Sequence, residues 1–208
     1  MIDAEQLIAE LRPLALSHRR RIVAIAGPPA SGKSTLAALV VDTFNDEHAG
    51  TAALVGMDGF HLDNQLLDAR DQRSRKGAPF TFDTGGLTST LRRLRANDEA
   101  SVVLPVYDRA LSVARGGAVE VASSVPLVVV EGNYLLLDES PWRGLSSLFD
   151  VTAYLEVEER ILERRLVDRW ATYGLTPAQG REKIDGNDLP NARYVAAHSR
   201  PADYLIVN

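Results

Sequence analysis

The sequence predicts an α/β fold of three layers, in which a mainly parallel five-stranded sheet lies between two layers of helices. Two observations support this prediction. Short apolar runs alternate with amphipathic helical patterns along the chain, and this alternation is typical of parallel sheets that are covered by helices on both faces. The chain has 208 residues, enough for a sizeable core, so we expect residues 1–208 to form one domain.

The predicted elements follow one another in a regular order. Leucine and isoleucine recur at helical spacing within residues 3–17 and predict a leading amphipathic helix. Compact apolar runs predict the strands, and apolar residues at helical spacing predict the helices between them. The strands are expected at residues 21–27, 52–57, 126–130, 151–157 and 204–207, and the intervening helices at residues 36–44 and 87–94.

Two further segments lie outside this regular pattern. Residues 101–107 and 118–121 predict two strands, and Arg115-Gly116-Gly117 between them predicts a hairpin turn. Residues 158–173 have a helical pattern that ends at Gly174, and Thr176 to Gln179 then form an N-cap, a proline at the first helical position and a capping-box glutamine. Two helices joined in this way predict a helical lid over a site, at about residues 158–190.

The composition excludes several classes of protein. Apolar residues make up 45% of the chain and charged residues 25%, as in ordinary globular proteins. No apolar run is long enough to cross a bilayer, so we expect a cytoplasmic protein with no membrane partner. The 23 basic and 28 acidic residues give a net charge of −5, which disfavours a nucleic-acid partner. The lack of cysteine excludes disulfides and thiolate metal sites.

A glycine-rich segment after the first predicted strand matches the Walker A pattern of phosphate-binding loops. In such a loop, glycines let backbone N–H groups turn toward a phosphate, and the following helix directs its positive end to the same point. Lys33 is expected to bridge the outer phosphates and Ser34 to bind Mg²⁺. The pattern predicts a P-loop NTPase fold with ATP and Mg²⁺ as cofactors, the alternative being a turn that binds nothing. The residues expected to contact the nucleotide are Gly27, Ala30, Ser31, Gly32, Lys33, Ser34 and Thr35.

Two carboxylates follow predicted strands and are expected to face the same crevice. In an open α/β sheet, the ligand binds at the carboxyl ends of the strands. Asp58 follows the second predicted strand, where a carboxylate can accept the proton of an attacking hydroxyl. Glu131 ends the apolar run of residues 127–130, where P-loop proteins place the acid that holds Mg²⁺ or its water. The alternatives are an Asx turn stabilised by Gly59 and a surface carboxylate at a strand end.

Five segments together resemble a known family. They are GPPASGKST (27–35), DGFHLDN (58–64), RKGAPFTFD (75–83), VYDR (106–109) and VEGNYLLLD (130–138). Their order resembles the uridine kinase, phosphoribulokinase and pantothenate kinase group of P-loop kinases, in particular the short bacterial members labelled fructose transport system kinases. The resemblance implies that Asp58 is the catalytic base, that Glu131 serves the metal and that lid arginines contact the phosphates. On this chain the lid arginines are Arg165 and Arg169, which are four residues apart on one helix face; pairing with neighbouring acidic residues is the alternative.

A cationic loop follows the second predicted strand. Arg70, Arg73, Arg75 and Lys76 lie within seven residues, where they could hold an anionic acceptor such as a carboxylate or a phosphate. A solvated loop is the alternative, and the resemblance favours acceptor binding, with Asp83 accepting hydrogen bonds from sugar-type hydroxyls. The residues expected to contact the acceptor are His61, Arg75, Lys76, Asp83, Tyr107 and Arg109.

These observations predict an ATP-dependent kinase that transfers the γ-phosphoryl group to a hydroxyl of a sugar, a nucleoside or a pantothenate-like metabolite. The expected partner is thus a small molecule that carries a hydroxyl group and is neutral or anionic. A homo-oligomer is also compatible with the sequence. A regulatory NTPase without an acceptor is the main alternative, although the guanine-reading Asn/Thr-Lys-x-Asp segment of GTPases does not occur. A nucleic-acid or transporter ATPase would need a basic surface or a partner domain. A nucleotide-binding module without catalysis also stays open.

Overall fold

A computed structural model describes residues 1–207 and contains two sheets. Five strands form a parallel sheet in the order β2-β5-β1-β6-β7, and the other two form an antiparallel hairpin. The predicted parallel five-stranded sheet is therefore confirmed. The strands are β1 (Arg21–Ala26), β2 (Ala52–Gly56), β3 (Ser101–Asp108), β4 (Val113–Ala122), β5 (Leu127–Gly132), β6 (Val151–Glu156) and β7 (Tyr204–Val207).

Seven α-helices are found within residues 1–207, and a π-helical segment at Ile184–Asp188 joins the last two. None of the helices in this part of the chain is long and apolar enough to span a membrane. The helices are α1 (Ala4–Ala15), α2 (Lys33–Glu47), α3 (Asn64–Ala69), α4 (Thr84–Ala96), α5 (Glu159–Thr172), α6 (Pro177–Lys183) and α7 (Leu189–His198).

The sheet separates two hydrophobic cores, which gives the predicted three layers. Successive side chains of a strand point to opposite faces, and β1 shows this directly. Ile22 and Ala24 pack with α4, the hairpin and α7, whereas Val23 and Ile25 pack with α1 and α2. Since both faces are covered, the central strands β1 and β5 are almost entirely apolar.

The parallel register brings three loops together at the carboxyl edge of the sheet. Ala26 of β1 lies opposite Gly132 of β5, and Gly56 of β2 lies opposite Glu131 of β5. The segments that follow these strands therefore emerge side by side. They contain the Walker A segment, Asp58 and the residues after Glu131, so the sheet topology itself assembles the candidate site.

The hairpin differs from the prediction in the position of its turn. The prediction that Arg115-Gly116-Gly117 forms the turn is wrong, because these residues lie inside β4 and the turn is formed by residues 109–112. The pairing register shifts between Leu104 and Val106, so that β4 bulges where it passes Pro105. Pro105 cannot donate a hydrogen bond to the ladder, and Gly117, with φ of 67°, has the backbone conformation that the bulge needs.

The C-terminal helices pack on the phosphate loop through a small apolar cluster. Leu166 of α5 packs against Ile184 and Leu189, with Trp170 and Ala30 alongside. The predicted capping box of α6 is present, since Thr176 and Gln179 exchange backbone and side-chain hydrogen bonds. The two predicted helices joined near Gly174 are therefore α5 and α6, and they lie beside the candidate site.

Arg20 is a buried cation that joins three elements. It is only 4% exposed, and its guanidinium donates to the carbonyl oxygens of Leu94 at 3.2 Å and Val125 at 2.9 Å, and also to that of Ala122. Burial lowers the pKa of Arg20 from its ordinary value. The side chain holds the ends of α4 and β4 to the start of β1.

Replacing Arg20 with methionine should lower the free energy of unfolding by about 3 kcal/mol or more. Three hydrogen bonds from a charged donor are lost, and such bonds contribute roughly 1.5–3 kcal/mol each. Urea unfolding followed by circular dichroism measures the change. Arg19→Met, at the exposed neighbouring position, is the matched control and should change stability by less than about 0.5 kcal/mol. Equal small effects in the two variants would contradict this role for Arg20.

Candidate active site

The phosphate loop has a backbone that its glycines permit. A Cβ atom at Gly27 would lie 3.0 Å from the carbonyl oxygen of Leu155 and 2.9 Å from the hydroxyl of Ser31, so a larger residue does not fit. Gly32 has φ of 96° and is the N-cap of α2, while Ala30 takes a positive φ of 61°. Residues 27–32 therefore turn tightly onto the N-terminus of a 15-residue helix, a geometry suited to binding an anion.

Ser34 and Glu131 form a direct contact at the start of α2. The Ser34 hydroxyl donates to a Glu131 carboxylate oxygen at 3.0 Å, and Glu131 is 7% exposed. Burial raises the pKa of Glu131 above its ordinary value, against the opposing attraction of Lys33. A hydroxyl next to a carboxylate fits Mg²⁺, which takes one or two protein oxygens and completes its shell with water and phosphate. No cluster of three or more His, Cys, Asp or Glu side chains that could hold a metal occurs within residues 1–207.

Lys33 interacts with both carboxylates of the site. Burial lowers its pKa, and attraction to Glu131 and Asp58 opposes that effect. Arg169 and Arg109 act in the same direction as burial, because each places a further positive charge near the ammonium group. Lys33 therefore interacts with charges from four other segments of the chain.

Asp58 is held as a carboxylate by surrounding cations. It lies in a 3₁₀ turn after β2 and accepts a hydrogen bond from Arg109 at 2.8 Å. Burial favours the neutral acid, but attraction to His61, Arg109 and Lys33 outweighs it, so the pKa of Asp58 lies below its ordinary value. Its second oxygen is 3.9 Å from Nδ1 of His61. Asp58 is thus deprotonated at neutral pH.

The loop that carries Asp58 is fixed by a close backbone contact. A Cβ atom at Gly59 would lie 2.4 Å from the carbonyl oxygen of Pro105, so only glycine allows β3 to approach this loop. The hairpin turn also supplies Arg109, the partner of Asp58. The hairpin, which is not part of the main sheet, therefore helps to position the carboxylate.

The rings of His61, Phe82 and Tyr107 line the cleft near Asp58 and together form its aromatic wall. The ring of His61 lies 4.1 Å from that of Phe82 and 4.5 Å from that of Tyr107, measured between centroids. The ammonium of Lys76 is 5.2 Å from the centroid of Tyr107 and donates to the Ser112 carbonyl oxygen at 2.6 Å. Burial lowers the pKa of His61 from its ordinary value, and attraction to Asp58 opposes that effect. Flat rings beside polar groups suit a small organic molecule.

The two arginines predicted for the lid have different surroundings. Arg165 donates to the carbonyl oxygens of Ala30 at 3.3 Å and Ser31 at 3.1 Å, and thereby joins α5 to the phosphate loop. Arg169 lies one turn further along α5 and is close enough to affect the pKa of both Lys33 and Asp58. Both side chains line the same cleft as Lys33.

The cleft is large and its lining is positively charged. Its volume is about 1670 Å³, above the roughly 300–1,000 Å³ that is usual for one small ligand. Eight cationic and four acidic side chains line it, although the chain as a whole has a net charge of −5. The cations are Lys33, Arg73, Arg75, Lys76, Arg109, Arg165, Arg169 and Lys183. Such a cleft favours anionic ligands.

Most of the residues predicted for the site meet in this cleft. Three of the predicted residues lie behind the cleft lining. Glu131 is buried and accepts a hydrogen bond from the Ser34 hydroxyl, and Gly27 lies close to Ser31 within the phosphate loop. Asp83 is not brought to the cleft lining, because it is exposed and its carboxylate caps α4 by accepting from the N–H of Gly86 at 2.8 Å. The predicted residues that line the cleft are Ala30, Gly32, Lys33, Ser34, Thr35, Asp58, His61, Arg75, Lys76, Tyr107, Arg109, Arg165 and Arg169.

Sequence reasoning did not assign several residues that line the cleft. Asn133 directly follows β5, and its place after a strand end was the available signal. Trp170 lies on α5 and donates to Asp188 at 2.7 Å. Asn187 belongs to the π-helical segment, which no periodicity in the sequence indicates.

Comparison with known proteins identifies the family. Residues 22–176, which contain the phosphate loop, Asp58, the hairpin and Glu131, match the phosphoribulokinase / uridine kinase family. The chain belongs to this family. The resemblance predicted from the five motifs is therefore confirmed, and the fold is that of the P-loop kinases.

Three relatives of this kinase span nearly the whole chain. The uncharacterised protein YggC of Escherichia coli is 37% identical over 195 residues, which cover 91% of this chain and 78% of that protein. A Schizosaccharomyces pombe protein provisionally named a uridine kinase is 31% identical over 199 residues, or 92% of this chain and 85% of that one. A crystal structure from Silicibacter sp. TM1040, provisionally named a fructose transport system kinase, has 39% identity and a TM-score of 0.90, with 99% of both chains covered.

Membership in this family makes the chain a phosphotransferase that uses ATP. Similar proteins carry different names: one is called a uridine kinase, one a fructose transport system kinase, and a protein of Ligilactobacillus salivarius, 31% identical over 73% of this chain and 49% of its own length, a pantothenate kinase. The acceptor of this kinase therefore has to be inferred from the side chains that line its own cleft.

Proposed function

We propose that this kinase transfers the γ-phosphoryl group of ATP to a hydroxyl group of a small molecule. The observation that carries the proposal is the position of Asp58. Its ionised carboxylate lies in the same cleft as Lys33, between the phosphate loop and the aromatic wall. The acceptor is a metabolite of the sugar, nucleoside or pantothenate-like classes.

The nucleotide phosphates are proposed to bind at the start of α2. The backbone of residues 27–32 and the helix N-terminus receive the negative charge, and Lys33 contacts the outer phosphates. Mg²⁺ is proposed to bind at Ser34, where it would neutralise charge on the phosphates. The carboxylate of Glu131 orients the Ser34 hydroxyl from behind through their 3.0 Å hydrogen bond.

Asp58 is proposed to act as the general base. The acceptor oxygen forms a bond to the γ-phosphorus, the bond between that phosphorus and the bridging oxygen breaks, and ADP leaves. The proton of the acceptor hydroxyl passes to the Asp58 carboxylate. Arg109 fixes the orientation of that carboxylate through their 2.8 Å contact. His61 belongs to the aromatic wall, where its ring packs against that of Tyr107.

Arg169 is proposed to contact the transferring phosphoryl group. Its positive charge lowers the pKa of both Lys33, which is proposed to contact the outer phosphates, and Asp58, which is proposed to face the acceptor hydroxyl. Arg165 is instead bound to backbone carbonyl oxygens of the phosphate loop, and it is proposed to hold α5 in place. Helices α5 and α6 are thus proposed to form the lid of the cleft.

Acceptor-dependent release of ADP tests the proposal. Purified protein with Mg²⁺ and ATP should release ADP faster in the presence of at least one class among sugars, nucleosides and pantothenate than in its absence. A coupled assay for ADP measures the rate, and mass spectrometry identifies the phosphorylated product. Release of ADP at the same rate with and without every acceptor would favour a regulatory NTPase instead.

Replacing Asp58 with asparagine should lower kcat by about 10²–10⁴, the usual contribution of a general base, because the amide cannot take the proton. The affinity for nucleotide should be retained, as measured with a fluorescent ATP analogue. Lys33→Ala should lose both affinity and turnover. The matched control is Asp71→Asn, which makes the same change at an exposed residue outside the cleft lining. Full activity of Asp58→Asn would remove Asp58 as the base.

Replacing Arg169 with alanine should lower kcat by about 10³ or more, since a positioned arginine contributes roughly 10³–10⁵ to phosphoryl transfer. Steady-state kinetics with saturating ATP and acceptor measure the effect. Arg164→Ala removes an exposed arginine of the same helix that does not line the cleft, and it should leave kcat unchanged. A similar kcat in the two variants would exclude contact between Arg169 and the transferring group.

A further inference from the structure

Arg75 is a cation of the cleft wall whose charge no acidic side chain of residues 1–207 neutralises. Its guanidinium makes one hydrogen bond in this part of the chain, from Nε to the Oδ1 atom of Asn187 at 3.3 Å. Arg73 in the same loop differs, because it is exposed and pairs with Asp68 at 3.1 Å. Arg75 is only partly exposed and is one of the residues that line the cleft. Its two terminal nitrogens are therefore available to a ligand.

The backbone around Arg75 is held from two sides. Asn187 donates to the carbonyl oxygen of Lys76 at 2.9 Å, and the Tyr134 hydroxyl donates to the carbonyl oxygen of Gly77. The ammonium of Lys76 is fixed separately, by Asn64 and by the hairpin turn. Residues 75–77 thus form a rigid part of the wall, and a pre-organised guanidinium binds an anion with little loss of entropy.

Asn187 owes its position to an irregularity in the helical chain. The π-helical segment Ile184–Asp188 interrupts the path from α6 to α7 and brings Asn187 to the cleft. Asn191, which is 3% exposed, donates to Asn187 Oδ1 at 3.1 Å and fixes the orientation of the amide. Such π-bulges occur frequently at functional sites.

Arg75 lies beside the aromatic wall of the cleft. The ammonium group of Lys76, the next residue, is 5.2 Å from the centroid of Tyr107, and the Tyr107 ring packs against that of His61. Nδ1 of His61 is in turn 3.9 Å from the Asp58 carboxylate. Burial raises the pKa of Tyr134, and the opposing effects of Asp58 and Arg75 on that pKa agree with this placement. Arg75 is therefore on the same side of the cleft as the proposed acceptor.

We propose that the acceptor carries an anionic group, a carboxylate or a phosphate, which Arg75 binds while Asp58 faces the reacting hydroxyl. Asn187 is a positioning residue, because it directs Arg75 and holds the Lys76 carbonyl. The inference rests on the proposed kinase function, and it narrows the acceptor to hydroxylated acids or phosphorylated alcohols. Arginine binds either group through two parallel hydrogen bonds.

Matched acceptors test the charge requirement. In pantothenate and panthenol, and in ribonate and ribitol, a carboxylate of the first member replaces a hydroxymethyl group of the second. In ribose 5-phosphate and ribose, a phosphate ester replaces a hydroxyl group. With Mg²⁺ and ATP, the anionic member of at least one pair should have a kcat/KM at least about tenfold higher than the neutral member. The carboxylate and phosphate pairs distinguish the two kinds of anion. Equal or better turnover of the neutral members would overturn the inference and leave the proposed kinase function intact.

Variants assign the effect to Arg75. Arg75→Gln should raise the KM of the preferred anionic acceptor about tenfold or more, with the KM of ATP and the turnover of the neutral member unchanged. Arg75→Lys keeps the charge but loses the paired donors, so its KM should be intermediate. Arg70→Gln, in the same loop but exposed and outside the cleft lining, should match the unmodified protein. An unchanged acceptor KM in Arg75→Gln, or a raised KM for ATP, would contradict the assignment.

Asn187→Ala should raise the KM of the anionic acceptor without lowering kcat. Arg75 loses the side chain that orients it, whereas the groups that take part in phosphoryl transfer keep their positions. A change in kcat alone, or an equal loss with neutral acceptors, would show a purely structural role. Melting temperatures confirm that each variant is folded.

A binding measurement separates failure of this inference from failure of the kinase proposal. In the presence of Mg·ADP, which occupies the phosphate loop, the anionic member of a pair should raise the melting temperature of the unmodified protein but not that of Arg75→Gln. If no acceptor stimulates ADP release, the kinase proposal fails, yet this shift would still support the anion site. The absence of both effects would overturn the two proposals together.

Discussion

The grouping of Lys33, Glu131 and Asp58 at the carboxyl edge of the sheet is the constraint on which the rest of the site depends. Burial raises the pKa of Glu131 and lowers that of Lys33, so each group is moved toward its neutral form. Desolvated charges are costly unless they are paired, and here they compensate one another only because the strand register brings three loops to one place. A magnesium polyphosphate would add both signs of charge to this group.

The hairpin orients the carboxylate to which the proton is proposed to pass. The parallel sheet delivers Asp58 to the cleft, but its carboxylate is oriented by Arg109, which comes from the hairpin turn. The close approach of Gly59 to the carbonyl oxygen of Pro105 fixes the distance between the two elements. A substitution at Gly59 would therefore move the proposed base although it removes no functional group. In the DGF segment, the glycine thus has a steric role and the aspartate the proposed chemical one.

The sequence was sufficient for features that rest on local patterns. Strand periodicity, the phosphate loop and the capping box of α6 each depend on neighbouring residues, and they were predicted correctly. The predicted position of the hairpin turn is wrong because a Gly-Gly pair is compatible with a bulge as well as with a turn. Pro105 on the facing strand cannot donate to the ladder, and it favours the bulge. The sequence predicts acceptor contact for Asp83, whereas in the structure its carboxylate caps α4. The contact between Arg75 and Asn187 joins residues that are 112 positions apart, so no local pattern indicates it.

The contact between Arg75 and Asn187 also joins the two halves of the proposed reaction. Asn187 and Asp188 are adjacent in the π-helical segment, and Asp188 accepts a hydrogen bond from Trp170, the neighbour of Arg169 on α5. The loop that carries Arg75 is thus connected through three side chains to the helix that carries Arg169. One irregular helical turn therefore supports both the residue proposed to bind the acceptor and the helix that carries the arginine proposed to contact the phosphoryl group.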